Sequence, residues 1–364
     1  MPVALKCSAL AKRYPGQRGR ALGEEGGVSF EVEKGELFAL LGPSGCGKTT
    51  TLRIIGGFVM PDVGEVLIDG KDVTQHPPHR RPTNTVFQSY ALFPHMRLGP
   101  NTGFGLKMVG VARAERDRKV SETLRMVGLG GMEKSRVSEL SGGQQQRAAL
   151  ARALATGPSV LLLDEPLGAL DLKLRRQMQD ELVQLKQNTG TTFIHVTHDQ
   201  EEACAMADRI AIMDRGRIAQ IDTPEELYRS PRTAFVARFI NAGTVVSGTV
   251  RRSGKHVQLE TPEFVLEGAA PGWQTGGENL AAVIPRMRAI ISSDESPMAA
   301  NQIQGTIERR VFTGSHYELH VRTKQGVALQ VVAGLAFASV HDGETVRLSW
   351  GPEDIQFVEE SDSP

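Results

Sequence analysis

Hydrophobic and polar positions follow two different patterns along the chain. Up to about residue 240, short apolar runs rich in β-forming residues alternate with segments of helical period. This alternation predicts an α/β fold with a largely parallel sheet. After about residue 242 the helical period fades, and apolar and polar residues alternate one by one, as in 317–322. The second pattern predicts an all-β domain of the small barrel type.

The same pattern places individual elements. A helix is predicted between Asp171 and Gly190, with one apolar face. That face is formed by Leu174, Met178, Leu182 and Leu185. Strands are predicted at 36–41, 84–87, 159–163, 191–196 and 209–213 in the first part, and at 245–251, 256–260, 327–332 and 345–350 in the second.

Composition narrows the class of protein. The 364 residues are enough for two or three domains, each with its own core. Basic and acidic residues both number 42, so no overall positive field draws the chain to nucleic acid. Cys7, Cys46 and Cys204 are too few and too scattered for a disulfide framework or a zinc site. No apolar run is long enough to predict a membrane-spanning helix, so a membrane role is expected to come through a partner.

A phosphate-binding loop follows the first predicted strand of the α/β part. The segment fits G-x-x-x-x-G-K-[ST] and precedes a helical stretch, which is the context that the motif requires. Its glycines let backbone N–H groups turn toward phosphate oxygens at a helix start. Lys48 is expected to reach the β- and γ-phosphates, and Thr49 to ligate Mg²⁺. The loop consists of Gly42, Pro43, Ser44, Gly45, Cys46, Gly47, Lys48 and Thr49.

Cys46 has two interpretations. A small residue filling a loop position is favoured, and a redox-sensitive thiol beside bound phosphate is the alternative.

Two acids end the strand predicted at 159–163. Asp164 and Glu165 stand where open α/β sheets collect catalytic groups, at the carboxyl end of a strand. Asp164 is expected in the Mg²⁺ shell, and Glu165 is expected to orient and polarise the attacking water.

Histidines occur in and after the next predicted strand. Asp199 and Glu202 have the spacing of a capping box for the following helix, which leaves His198 available to sense the γ-phosphate and to hold Glu165 in line. His195, of opposite parity in the strand, is assigned to structure.

Two further residues are weaker candidates. Gln88 follows the strand predicted at 84–87, and its amide oxygen can ligate Mg²⁺ while its loop moves, which would couple the nucleotide to whatever the apolar segment 90–96 contacts. Tyr14 can stack on adenine, but a packing role is nearly as well supported.

A second potential phosphate site lies in LSGGQQQR, residues 140–147. Ser141, Gly142 and Gly143 precede a helix predicted from about Gln144, so they offer N–H groups and a hydroxyl at a helix start. Because the chain's own loop already holds one nucleotide, this segment is expected to bind that of a neighbouring copy.

These segments resemble the ATP-binding subunit of an ABC transporter over essentially the full chain. The matches in chain order are Tyr14 as the adenine-stacking aromatic, 42–50 including Thr50 as Walker A, Gln88 as the Q-loop residue, 140–147 with Ser141 to Gln144 as the signature, 161–166 as Walker B, 167–171 with Asp171 as the D-loop, and His198 as the switch histidine. The resemblance implies ATP and Mg²⁺ as cofactors, with Thr49, Gln88 and Asp164 as metal ligands. Lys48, Glu165 and His198 would be the catalytic residues.

The resemblance also implies domains and partners. It gives an ATP-binding cassette with a RecA-like core at 1–240, a helical subdomain at about 97–155, and an OB-like TOBE domain at 241–364. Two copies would meet head to tail beneath two transmembrane permease subunits, at the cytoplasmic face of the cell membrane. A solute-binding protein would act outside the membrane, and no nucleic-acid partner is expected.

The second domain carries the substrate assignment. Segments 311–323 and 348–357 are most similar to spermidine/putrescine uptake ATPases, whereas ferric-iron, phosphonate, sulfate and sugar importers share the first 240 residues almost as well. A soluble non-transport ABC ATPase, an exporter ATPase and a non-hydrolysing copy are further alternatives.

Three segments depart from the family pattern. Gly168 replaces the usual serine of the D-loop, which removes a hydroxyl from the dimer seam. Gly99 and Pro100 are expected to loosen 97–102, a region that would touch the permease. Proline and arginine are exchanged in 282–289 relative to the expected V-x-R-P-E.

Overall fold

Two units make up the chain in the computed structural model, residues 1–224 and residues 225–364. The structure describes residues 2–14, 16, 22–23, 26–168, 170–253, 256–269, 280–292 and 301–360. Within these residues, no helix is both long and apolar enough to cross a bilayer.

The first unit alternates strands and helices. Its strands are β1 Val3–Ala11, β2 Val28–Glu33, β3 Leu37–Leu41, β4 Val63–Ile68, β5 Lys71–Asp72, β6 Thr83–Val86, β7 Val160–Asp164, β8 Thr192–Val196, β9 Arg209–Asp214 and β10 Arg217–Asp222. Its helices are α1 Lys48–Ile55, α2 Leu98–Thr102, α3 Phe104–Met108, α4 Arg113–Met126, α5 Gly142–Leu154, α6 Leu172–Thr189 and α7 Gln200–Met206, with 3₁₀ turns at Pro78–Arg80 and Val137–Glu139.

A six-stranded sheet of order β10-β9-β3-β8-β7-β6 forms the centre of this unit. Five of its strands run parallel, and β10 is antiparallel to β9. Strands β3 and β8 are buried at every position, as expected for parallel strands covered on both faces. The prediction of an α/β fold with a largely parallel sheet is confirmed.

A second, antiparallel sheet of order β2-β1-β4-β5 packs against the first. Phe30 of β2 stacks on Phe38 of β3 with ring centroids 5.2 Å apart. The same core takes in Leu52, Ile54 and Ile55 of α1. This packing fixes α1, and with it the loop that precedes α1, against the sheet.

Helix α6 has the ends that the sequence predicts. The Asp171 carboxylate accepts a hydrogen bond from the Leu174 N–H at 2.9 Å, and Gly190 ends the helix in the left-handed conformation with φ 62°. Three of the four predicted apolar residues are buried, namely Met178, Leu182 and Leu185. Leu174 is half-buried.

The expectation that 97–102 is loose is wrong. The segment forms α2, and Pro100 is its third residue, where a backbone N–H would have no partner inside the helix. Asn101 is fully buried, accepts a hydrogen bond from the Phe93 N–H at 3.0 Å and donates to the Phe93 carbonyl at 2.9 Å. The helix is therefore fixed to the segment before it.

The second unit is all β apart from two short helices at its start and one 3₁₀ turn, Leu335–Ser339, in the described residues. The helices are α8 Pro224–Arg229 and α9 Ala234–Phe239. The strands are β11 Gly243–Ser247, β12 Thr249–Ser253, β13 His256–Glu260, β14 Val265–Ala269, β15 Leu280–Pro285, β16 Ile290–Ser292, β17 Gln302–Phe312, β18 Tyr317–Arg322, β19 Ala328–Ala333, β20 Thr345–Ser349 and β21 Gln356–Glu359.

Three antiparallel sheets build this unit, in the orders β11-β15-β21, β12-β13-β14 and β16-β20-β17-β18-β19. They share one hydrophobic core, which is consistent with the predicted small barrel. Ala234 and Ala237 of α9 are buried against Ala281, Val283 and Val358. Helix α9 therefore packs with the second unit, although it precedes residue 240.

Candidate active site

The carboxyl ends of four adjacent strands bring the predicted site residues to one edge of the central sheet. In the order β3-β8-β7-β6, these ends are followed by the phosphate loop, His198, Glu165 and Gln88. Asp164 is the last residue of β7. The parallel order of the strands thus collects residues that lie more than a hundred positions apart in the chain.

The phosphate loop is tightly wound against the sheet. A Cβ atom at Gly42 would lie 2.2 Å from the Met213 carbonyl oxygen, so the approach of the loop to β9 requires glycine. Gly47 precedes α1 with φ 107°. The Lys48 ammonium donates hydrogen bonds to the carbonyl oxygens of Gly42 and Pro43 at 2.6 and 2.9 Å. The loop therefore holds its lysine at the start of α1, as the motif predicts.

Cys46 is buried, with its sulfur 3.8 Å from the Lys48 nitrogen. Burial raises the pKa of the thiol, and the nearby lysine opposes this effect only in part. Because the thiolate is the reactive form, the structure favours the interpretation of Cys46 as a packing residue.

Glu165 and His198 meet at this edge. Glu165 Oε1 lies 3.2 Å from His198 Nδ1, and the Glu165 N–H donates to the Val196 carbonyl of β8 at 3.0 Å. Glu165 has φ 47°, a left-handed conformation that is costly for a residue with a side chain. Such strain persists where the surrounding structure enforces it, and it is often found at functional sites.

Asp164 carries a perturbed carboxyl group. Burial raises its pKa above the ordinary value, the neighbouring Glu165 raises it further, and Arg53 lowers it. Thr49, Gln88 and Asp164 offer a hydroxyl, an amide and a carboxylate oxygen, and this all-oxygen donor set fits Mg²⁺. Gln88 is exposed, and a Cβ atom at Gly168 would lie 3.6 Å from its Nε2, in ordinary contact.

A layer beneath His198 was only partly predicted. Asp199 accepts a hydrogen bond from the Glu202 N–H at 3.0 Å and so caps α7, but the capping box is not reciprocal. The buried Glu202 carboxylate instead accepts from the Thr197 hydroxyl at 3.1 Å and lies 2.7 Å from His195 Nε2. The assignment of His195 to structure agrees with its complete burial.

The segment 140–147 begins a helix, two residues earlier than predicted. Ser141 is the N-cap of α5. Its hydroxyl accepts a hydrogen bond from the Gln144 N–H, and the Gln144 side-chain oxygen accepts one from the Ser141 N–H, which forms a capping box. Ser141 and Gly142 are exposed, whereas a Cβ atom at Gly143 would lie 3.2 Å from Leu174 of α6. The signature helix thus packs on the helix that Asp171 caps.

Two other candidates can be placed. Tyr14 is half-buried and follows β1 of the antiparallel sheet, and Thr50 is the third residue of α1. Of the predicted D-loop, Ala169 lies outside the described residues.

Two arginines of α5 have partners that the sequence does not reveal, although one of them, Arg147, lies in the predicted segment 140–147. Arg147 forms an ion pair with Glu181 of α6, and Arg152 donates to backbone carbonyls of the segment after Gln88. Their only signal is a basic residue in or shortly after a predicted site segment, which does not reveal the partner.

Both parts of the chain match known protein families. Residues 26–168 match the ABC transporter family model, and residues 286–358 match the TOBE domain. The chain is 45% identical over 331 residues to the spermidine/putrescine import ATP-binding protein PotA of Trichormus variabilis, covering 90% of this chain and 87% of the relative. The protein of the same name from Rubrobacter xylanophilus is 45% identical over 356 residues, covering 96% and 92%.

Solved structures agree with the fold of the first part. The structure of cbiO1 from Clostridium perfringens, part of the ABC transporter complex cbiONQ, matches with a TM-score of 0.58 and 28% identity over 63% of this chain and 91% of that chain. The ATP-binding cassette MJ0796, as a dimer in a post-hydrolysis state with ADP and Pi, matches with a TM-score of 0.52 and 31% identity over 60% and 98%. This chain belongs to the family of ABC transporter ATP-binding proteins with a C-terminal TOBE domain, the group that includes the spermidine/putrescine import ATP-binding proteins.

Proposed function

We propose that this protein hydrolyses ATP to power import of a polyamine of the spermidine/putrescine class through a membrane ABC transporter. The observation that carries the proposal is the 3.2 Å approach of Glu165 to His198 on the edge that also bears the phosphate loop. A carboxylate oriented by a histidine beside a phosphate-binding loop is suited to positioning water for phosphoryl transfer.

The phosphate loop positions the nucleotide. The Lys48 ammonium exchanges its two carbonyl partners in the loop for oxygens of the β- and γ-phosphates. Thr49, Gln88 and Asp164 would hold Mg²⁺, which would neutralise charge on the phosphates. Tyr14 is assigned to the adenine base.

Glu165 directs the attacking water. Its carboxylate accepts a hydrogen bond from the water, and His198 holds the carboxylate in line and contacts the γ-phosphate. A bond forms between the water oxygen and the γ-phosphorus while the bond to the β–γ bridging oxygen breaks, and the proton that the water releases passes to the Glu165 carboxylate, which yields ADP and phosphate. Closure of the site excludes bulk water and strengthens these electrostatic interactions.

Two copies complete each site. Exposure of Ser141 and Gly142 at the N-terminus of α5 suits contact with the γ-phosphate bound to a second copy. Asp171, the exposed N-cap of α6, is assigned to the seam. The dimeric state of the related MJ0796 cassette supports this arrangement.

A groove among α2, α3 and α4 suits the permease. Its volume is about 560 Å³. It is lined by Met96, Pro100, Phe104, Lys107, Arg116 and Val120, among others. Exposed Met108 and Val109 lie at the end of α3. Apolar residues line this groove together with basic residues and with the acidic Asp117 and Glu133, a lining that fits a short amphipathic helix from a membrane subunit. Because each copy offers one such groove, we assign it to one of two permease subunits at the cytoplasmic face, with the extracellular solute-binding protein contacting only the permease subunits.

The names of the relatives support polyamine as the substrate. Ferric iron, phosphonate, sulfate and sugars are the alternatives. Uptake of labelled spermidine, iron and phosphonate by cells with and without this chain tests the assignment, and loss of iron or phosphonate uptake alone would replace polyamine as the substrate.

The catalytic assignment is tested by Glu165→Gln. The amide cannot act on the water as the carboxylate does, so we expect kcat for ATP hydrolysis to fall by about two orders of magnitude or more with nucleotide binding retained. Phosphate release and binding of a fluorescent ATP analogue measure the two effects.

Glu201→Gln is the matched control, because Glu201 is an exposed acid of α7. We expect its kcat to stay within about twofold of the unchanged chain. Full steady-state turnover by Glu165→Gln would show that Glu165 is not the catalytic carboxylate.

A further inference from the structure

The turn after Gln88 is strained. Tyr90 and Ala91 have φ 61° and 47°, so two consecutive residues with side chains occupy the left-handed region. The Tyr90 N–H donates to the Phe87 carbonyl at 2.8 Å and the Ala91 N–H to the Ser89 carbonyl at 2.7 Å, which makes the turn very tight. Such a conformation persists only where other groups hold it.

One side chain holds this turn from another element. Arg152, near the end of α5, donates to the Ala91 carbonyl at 2.5 Å and to the Tyr90 carbonyl at 3.0 Å. Its guanidinium also lies over the Phe93 ring, 5.5 Å from the centroid. Among the described residues it has no carboxylate within ion-pair distance. The planar fork of arginine therefore binds backbone carbonyls instead of an acid.

Neither the Tyr90 side chain nor Asn101 holds the turn by a hydrogen bond. The Tyr90 side chain is buried, and its hydroxyl has no hydrogen-bond partner among the described residues. Leaving a buried hydroxyl unpaired costs free energy, so the Tyr90 side chain does not stabilise the turn through a hydrogen bond. Asn101 fixes Phe93 from α2, but it does not reach Tyr90 or Ala91.

Helix α5 thus connects two segments of the proposed site. Its N-terminus is Ser141, assigned to the nucleotide of the second copy, and Arg152 lies about 16 Å further along the same helix. We infer that Arg152 is a positioning residue that ties the turn after Gln88 to the signature helix, so that engagement of Ser141 by a second copy sets the position of the turn. This inference rests on the proposed function.

The test uses the full chain with Glu165→Gln, which retains ATP, and measures hydrogen exchange with and without Mg-ATP. We expect ATP to slow exchange in both 88–96 and 139–148 when Arg152 is present. With Arg152→Gln added, we expect 88–96 to exchange at least about threefold faster in ATP, while 139–148 keeps its protection. The deciding quantity is the slowing of exchange that ATP itself causes in 88–96. We expect Arg152→Gln to abolish that slowing, whereas a merely structural role would speed exchange in 88–96 equally with and without ATP.

Arg118→Gln is the control, because Arg118 is an exposed arginine of α4 that pairs only with Glu122 on its own helix among the described residues. It is expected to leave hydrogen exchange in both segments unchanged.

A second variant tests whether the loss of protection reflects misfolding. Ala91→Gly permits the left-handed conformation without strain, so adding it to Arg152→Gln is expected to restore part of the protection of 88–96.

Three outcomes would overturn the inference. The first is unchanged protection of 88–96 after Arg152→Gln, and the second is joint loss in both segments together with a lowered unfolding temperature. The third is a lack of any rescue by Ala91→Gly. If ATP protects neither segment while Arg152 is present, the proposed ATP-driven pairing of two copies fails. That result is distinguishable from the three outcomes above, which overturn only the role of Arg152.

Discussion

Asp164 shows at the scale of one residue how function opposes stability. Its folded-state pKa is raised, chiefly by burial and then by Glu165, so the folded protein binds the proton more tightly than the unfolded chain does. Stability is therefore lost as pH rises from the ordinary value of 3.8 through the folded pKa. At neutral pH the charged carboxylate destabilises the fold.

We therefore predict that Asp164→Asn raises the unfolding temperature at pH 7 while it abolishes ATP hydrolysis. A gain of about 1 kcal/mol corresponds to about 2–4 °C in a unit of this size. Differential scanning calorimetry at pH 7 and pH 4.5 measures the effect, and the advantage of the variant should shrink at the lower pH, where Asp164 is more fully protonated.

Asp69→Asn is the opposite control. The pKa of Asp69 is lowered, first by hydrogen bonding to Lys34 and then to Ser159, so its charge stabilises the fold. Asparagine tolerates the left-handed backbone of this position, φ 49°, and the variant should lose stability at pH 7. A lower unfolding temperature for Asp164→Asn would contradict the account of Asp164.

At the scale of elements, α2 decides how firmly the segment before it is held. Asn101 is fully buried and bonds both backbone groups of Phe93. We predict that Asn101→Ala destabilises the first unit by about 2–3 kcal/mol, because it leaves the Phe93 N–H and carbonyl unpaired. Urea unfolding measures the loss.

Pro100→Ala is the matched neighbour, since proline and alanine are both accommodated in the first turn of a helix. Its effect is expected to stay within about 0.5 kcal/mol. A large loss from Pro100→Ala and none from Asn101→Ala would mean that the proline, and not the asparagine, fixes the segment.

At this scale, some features can be predicted from the sequence and others cannot. The edge that gathers Gln88, Asp164, Glu165 and His198 was predictable, because parallel strands place their carboxyl ends together and each residue follows an apolar run. Helix α2, Leu98–Thr102, was not, since local glycine and proline suggested a loop and the stabilising contact of Asn101 is tertiary. Arg152 was missed for the same reason, because backbone carbonyls as acceptors leave no mark in a sequence.

At the scale of the whole molecule, the position of α9 bears on where the two parts separate. The sequence predicts a boundary at 240, while Ala234, Val236 and Ala237 of α9 are completely buried. Two of them, Ala234 and Ala237, share a cluster with β15 and β21 of the second unit. A fragment ending at 240 would keep α9 but lose the strands that cover it.

We predict that a fragment ending at Pro224 unfolds cooperatively and still binds ATP, because the predicted site residues all precede residue 199. A fragment ending at 240 should gain no stability, and its tail should be open to trypsin at Arg229, Arg232 and Arg238. In the full chain Arg238 should be cleaved at least about tenfold more slowly, because it lies in α9, which is packed there. Mass spectrometry of a trypsin time course compares the three chains. Equal protection of the tail in the fragment ending at 240 and in the full chain would show that α9 belongs with the cassette and that the boundary lies after it.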